Sequence, residues 1–148
     1  MKVRGTIYLH HNLVYHDGAI GNKYLILLNT PREKDPFLFV KTTSQKKNKP
    51  STPGCICSMS LFFIPGKKTF FPLDTWVQLY EIYPIEGKGI RNNPNIRKVG
   101  ELDAKITADI INCLFEAEEE NIPQWFSELL RPTLEISLLK LQEKFNKK

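Results

Sequence analysis

The sequence predicts a mainly β, α+β domain, built as a small curved sheet or barrel followed by C-terminal helices. Two observations lead there. Residues 4–83 hold short runs rich in β-branched and aromatic side chains, cut apart by Gly, Pro and Asn. After Gly100 the apolar period lengthens to that of a helix face. At 148 residues, 41% hydrophobic and 25% charged, the chain suits one globular core that needs neither disulfides nor metals.

Residues 4–11 (RGTIYLHH) open with β-type alternation, and residues 23–29 (KYLILLN) form a short apolar run of strand length. The polar connection at 12–22 carries Asp17-Gly18 and Gly21-Asn22, which suit a hairpin with a long, flexible loop. Residues 37–43 (FLFVKTT) read as a third strand. The next segment, 44–54 (SQKKNKPSTPG), has three lysines, two prolines and no apolar side chain, and is expected to be an exposed, mobile basic loop. Further strands are expected at 58–64, 69–71 and 75–83.

Leu102, Ile106, Ile110, Ile111, Leu114 and Phe115 then recur at helical spacing, which predicts an amphipathic helix over 101–119. Pro123 opens another helical stretch that Pro132 divides, and Leu134, Leu138, Leu141 and Phe145 form a last apolar stripe before Lys147-Lys148. The organisation expected is a β domain with its helix at 1–120 and a helical extension at 121–148, packed on the same domain.

No run approaches the ~18 apolar residues of a membrane span, and the N-terminus lacks a signal-like apolar segment, so the expected location is cytoplasmic. Cys55, Cys57 and Cys113 are an odd set with one C-x-C pair, too few for a disulfide framework or a closed zinc site, and are expected to be buried or idle thiols. The net charge of +5 is unevenly spread. Residues 1–100 hold 15 Lys/Arg against 6 Asp/Glu, whereas 101–148 hold 6 against 10. A basic first part suits a polyanionic partner, because cations gain by displacing counterions from phosphates.

Read in order, Gly5-Thr6-Ile7-Tyr8, Asp17-Gly18-x-x-Gly21-x-Lys23, the run Tyr24 to Asn29, and Val40-Lys41-Thr42-Thr43-Ser44 resemble the PemK/MazF family of plasmid-maintenance toxins, within the CcdB/PemK/MazF superfamily. Leu73-Asp74-Thr75-Trp76-Val77-Gln78 and Gly100-Glu101-Leu102-Asp103 are similar to that family's last strand and helix. The resemblance covers roughly residues 4–115. It implies an SH3-like barrel that forms a homodimer and acts as the toxin of a type II toxin-antitoxin system. It further implies cleavage of single-stranded RNA without a metal or cofactor, and inhibition by a cognate acidic antitoxin. Two departures stand out: Gly21-Asn22-Lys23-Tyr24 where the family carries Gly-x-Arg-Pro, and a C-terminal extension.

Metal-independent cleavage uses the 2′-hydroxyl of the RNA as nucleophile, so the protein must move protons and stabilise charge on phosphorus. By the resemblance, Thr43 or its neighbour Thr42 donates to a phosphate oxygen and Lys23 is the catalytic cation. Histidine shares protons near neutral pH, so His16 is a catalytic candidate that could stand in for the missing Arg. His10 and His11 rank below it, because adjacent strand residues face opposite ways and at most one can reach the site. Lys41, Ser44, Gln45, Lys46, Lys47 and Lys49 are expected to bind RNA along a phosphate path. Phe62, Phe63, Phe70 and Phe71 are read chiefly as strand aromatics that divide between core and surface, with stacking of bases as the sharper alternative.

Asp17, Asp74 and Glu81 lack metal-site spacing, so no metal is expected. Gly87-Lys88-Gly89 is not a phosphate loop. The run Glu116, Glu118, Glu119, Glu120 reads as a solvated helix face, with a tail lying over the basic groove as the sharper alternative. Two other functions remain open: a catalytically silent nucleic-acid-binding barrel, and a protein-targeting toxin of the gyrase-poison kind.

Overall fold

A computed structural model describes residues 3–14 and 17–130. Seven strands form one antiparallel sheet: β1 (Thr6–Val14), β2 (Ile20–Leu27), β3 (Phe37–Thr43), β4 (Gly54–Ile56), β5 (Leu61–Ile64), β6 (Thr75–Ile85) and β7 (Ile96–Glu101). Their spatial order is β4-β5-β6-β3-β2-β1-β7. The order does not return on itself, so the sheet is open, with β4 and β7 at its edges. The short helix α1 (Gly87–Asn92) precedes β7, α2 (Ala104–Glu118) follows it, and residues 124–130 are helical. The class is mostly β, α+β.

Strand alternation sends successive side chains to opposite faces. On one face Ile7, Ile26, Leu38, Val40, Val77 and Leu79 pack against Ile110, Ile111 and Leu114 of α2, with Phe126 and Leu130 completing the core. The other face is split. Tyr8, Leu25, Leu27, Phe37 and Phe39 lie under Ile90 of α1 and Ile96, whereas Leu61, Phe63 and Trp76 form a separate cluster near the β4 edge. Cross-strand register places Lys41 and Gln78 on the stretch of face between the two clusters.

The start of α2 is fixed by local chemistry. The Asp103 carboxylate caps it by accepting from the Ile106 N–H at 2.7 Å. Gly5 joins it to the sheet: its N–H donates to the Leu27 carbonyl and its carbonyl accepts from the Leu102 N–H. Its φ is +91°, and a Cβ there would sit 2.6 Å from Thr107 Oγ1, so only glycine fits. Asn29 closes the β2–β3 connection from a buried position, donating to the Pro36 carbonyl and accepting from the Leu38 N–H.

Several expectations change. β1 and β2 run on into the predicted loop and pair as far as Val14 and Ile20, so the connection is shorter than 12–22. Residues 69–71 form no strand; the Lys67 N–H donates to the Phe71 carbonyl across a turn, and Phe70 and Phe71 turn inward onto Tyr24. Strand β4, helix α1 and strand β7 were not anticipated. The expectation of idle thiols is overturned, because Cys55 of β4 and Cys113 of α2 form a disulfide and Cys57 is the free cysteine. The pairing links positions 58 apart, which spacing along the chain could not reveal. The predicted division at Pro132 and the stripe Leu134, Leu138, Leu141, Phe145 lie outside the described residues.

Among the described residues no helix is long and apolar enough to cross a membrane. The disulfide generates a prediction. Cutting a link across 58 residues frees unfolded-chain entropy, so reduction with dithiothreitol should lower the unfolding free energy by about 2–4 kcal/mol in urea titrations. An unchanged midpoint would mean that the two thiols are not joined in solution.

Candidate active site

The hydrogen-bonded ladder between β2 and β3 covers Leu25–Lys41, Ile26–Val40 and Leu27–Phe39, and stops there. Beyond it β2 stays paired with β1 and β3 with β6, so the two strands part and a cleft opens between them. Backbone carbonyls at the parting need donors. Tyr24 O accepts from Thr42 Oγ1 at 3.0 Å, and Thr42 O accepts from Lys23 Nζ at 3.1 Å. Side chains thus replace two rungs of the ladder.

The cleft has a volume of about 340 Å³. Lys23, Thr42, Thr43, Ser44 and Gln45 line it together with Asn22 and Tyr24, and Phe71, Pro72, Leu73 and Thr75 form its opposite wall. Among the described residues that line it there is no carboxylate. Burial, followed by the charges of Lys41 and Lys49, holds the Lys23 ammonium below the ordinary lysine value of 10.5. Lys41 itself lies with Nζ 4.8 Å from the centre of the Tyr83 ring.

The two threonines differ. Thr42 is buried and its hydroxyl proton is committed to Tyr24 O. Thr43 is half-buried in the cleft, where its Oγ1 accepts from the Gln45 N–H and keeps its proton to donate elsewhere. That bond starts the basic loop. A turn from Lys46 O to Lys49 N, with Lys47 at φ +45°, shapes its middle, and Lys49 Nζ reaches back to Gln45 O. Trp76 Nε1 fastens its far end by donating to Pro50 O at 2.7 Å. Lys46 and Lys47 remain exposed.

His16 lies outside the described residues. The register instead singles out His10, which stands directly opposite Lys23 on the same face of the sheet. Its Nδ1 is 2.9 Å from His11 O. His11 takes the other face, as alternation requires. Phe62, Phe63 and Phe71 are buried and Phe70 is packed on Tyr24, so none is an open stacking platform. Glu116, Glu119 and Glu120 are exposed, and α2, the helix that carries or adjoins them, packs on the sheet face opposite Lys41. None of Glu116, Glu118, Glu119 and Glu120 is among the described residues that line the cleft.

A larger cleft of about 620 Å³ lies near the start of β3 and takes in Trp125. Its Lys34, Lys88 and Arg91 are matched by Glu33, Asp35 and Glu86, so it lacks the one-signed lining of the smaller one. Among the described residues no three of His, Cys, Asp and Glu gather as a metal-binding group. The chain matches no protein-family model and no curated protein sequence.

Two predictions follow from this geometry. Thr42→Val should lower stability by about 1–3 kcal/mol, because it strips a part-buried carbonyl of its donor, whereas Thr43→Val should cost less than about 1 kcal/mol; urea titration compares them. Lys23 binds its proton less readily folded than unfolded, so its contribution to stability is least below its folded value and rises as pH climbs toward 10.5. NMR titration should find Lys23 losing its proton below the ordinary lysine value of 10.5, and Lys41→Gln should move it back upward.

Proposed function

We propose that this chain is a metal-independent endoribonuclease that cleaves single-stranded RNA at the Lys23–Thr43 cleft. The observation that carries this reading is the convergence of one half-buried ammonium, one hydroxyl with a proton to donate and the start of a lysine-rich loop on a cleft whose described lining holds no carboxylate. A phosphodiester is the ligand such a lining suits: Lys41, Lys46, Lys47 and Lys49 draw the backbone in, and Thr43 Oγ1 and Lys23 Nζ meet the phosphoryl oxygens. The attacking oxygen is the 2′-hydroxyl of the RNA, so the protein supplies positioning, charge and proton transfer.

On this reading the sheet is an SH3-like, PemK/MazF-type scaffold, and the chain is a cytoplasmic type II toxin that acts as a homodimer. An acidic antitoxin segment suits the same lysines and would compete with RNA for them. One observation favours a second reading. Lys23 is a point charge and lacks the bidentate fork of an arginine, which fits a silent RNA-binding protein as well as an enzyme.

Cleavage of a long single-stranded RNA in excess EDTA separates the two. Wild type should yield discrete fragments, Lys23→Ala and Thr43→Ala should each lose on the order of 10²-fold or more in rate, and undiminished cutting by Thr43→Ala would sink the site. Folded wild type that leaves RNA intact yet binds it with salt dependence would establish the silent reading. Intact RNA with no binding would move the assignment to a protein target. Replacing Lys46 and Lys47 by Ala should weaken RNA binding uniformly and reduce the salt slope by roughly 0.7 per lysine.

A further inference from the structure

We propose that His10 is the general base of this site, a role that rests on the endoribonuclease reading and goes beyond it by naming the proton acceptor. The need for one follows from the lining. Lys, Thr, Ser, Asn, Gln and Tyr side chains bind and donate near neutral pH, but none of them is an effective proton acceptor there. A general base must come from a neighbouring position, and the hairpin register supplies one. His10 is the cross-strand partner of Lys23, and directly opposed residues of an antiparallel pair hold their Cβ atoms about 4.5–5.5 Å apart on one face.

The ring is also set in the useful tautomer. A carbonyl oxygen can only accept, so the 2.9 Å contact between Nδ1 and His11 O makes Nδ1 the protonated nitrogen of the neutral imidazole. The lone pair is then on Nε2. Among the described residues, the titratable groups on this face include Lys23 on β2, Lys41 on β3, Tyr8 on its own strand, Lys98 on β7, which is bonded to Glu101, and Tyr83 on β6, whose hydroxyl donates to Glu81. Glu101 and Glu81 are engaged by Lys98 and Tyr83, and neither is bonded to the His10 ring.

The roles then divide cleanly. His10 Nε2 takes the 2′-hydroxyl proton as the 2′-oxygen forms its bond to phosphorus. The bond from phosphorus to the 5′-oxygen breaks, and that oxygen takes a proton from the Lys23 ammonium while Thr43 Oγ1 donates to a non-bridging oxygen. The products are a 2′,3′-cyclic phosphate and a free 5′-hydroxyl. Water returns the proton from the imidazolium to the lysine, so no oxidant, reductant or cofactor enters.

The test uses the full chain with a single-stranded RNA in excess EDTA between pH 5 and 9, and with the all-2′-deoxy strand as a ligand that cannot be cleaved. In His10→Asn the side-chain amide nitrogen stands in for Nδ1–H and Nε2 is lost. The expected result is a rate about 10²–10⁴-fold lower, disappearance of the acidic limb of the pH–rate profile, unchanged melting, and deoxy-strand affinity within about threefold. Free imidazole should restore part of the rate to His10→Ala. The proposal is overturned, with the nuclease reading intact, if His10→Asn cuts with the wild-type rate and profile while Lys23→Ala does not. It is equally overturned if His10→Asn loses melting temperature and deoxy-strand binding together with rate, which marks a structural role. Wild type that leaves RNA whole removes both readings at once.

Discussion

The parting of β2 from β3 beyond the Leu25–Lys41 pair is the constraint on which the rest of the site depends. A sheet that loses rungs exposes carbonyls, and uncompensated carbonyls cost stability when they are shielded from water. Here Thr42 Oγ1 and Lys23 Nζ take over as donors. The substitution fixes two features at once: it orients a cation along the lip of the cleft, and it commits the hydroxyl proton of one of the two adjacent threonines to the backbone. Thr43 is left with its hydroxyl proton, and the loop that begins at Ser44 inherits its direction from the Gln45 N–H bond to Thr43 Oγ1.

How much of this could be read along the chain depends on whether the information was local. β3 matches the expected 37–43 residue for residue, because FLFVKTT combines high strand propensity with Pro36 before it and a polar, Pro-bearing segment after it. The expected helix contains α2, since its apolar stripe is long and Asp103 supplies a cap. By contrast α1 (GKGIRN) buries only Ile90, and β7 (IRKVGE) is an edge strand that buries only Ile96, so neither shows a clear period. The outward continuation of β1 and β2 leaves Val14 and Ile20 exposed, a case of pairing between strands prevailing over the turn-forming residues between them.

The site divides along the same line. Lys23 and the run Thr43-Ser44-Gln45 lie in different segments of the sequence, each legible as a candidate, and the fold brings them to one cleft. Which histidine accompanies them was not legible, because His10 gains its place from a register with Lys23 that is set by the hairpin as a whole. Alternation did show that only one of His10 and His11 could share a face with the lysine. The disulfide is the extreme case, since its two halves belong to elements that meet only in three dimensions.

That covalent link has a consequence for the lysine-rich loop. The loop leaves β3 at the cleft and returns through β4, an edge strand of three residues, Gly54–Ile56, whose Cys55 is bonded to the buried Cys113 of α2. The loop lies just outside the ring of residues 55–113 that the sulfurs close, anchored at one end at the cleft and at the other, through Cys55, to the hydrophobic core. With the sulfurs apart, the far mooring shrinks to three rungs of β4–β5 pairing and the Trp76 bond to Pro50. The freedom of its lysines therefore depends on the oxidation state of a bond they never touch.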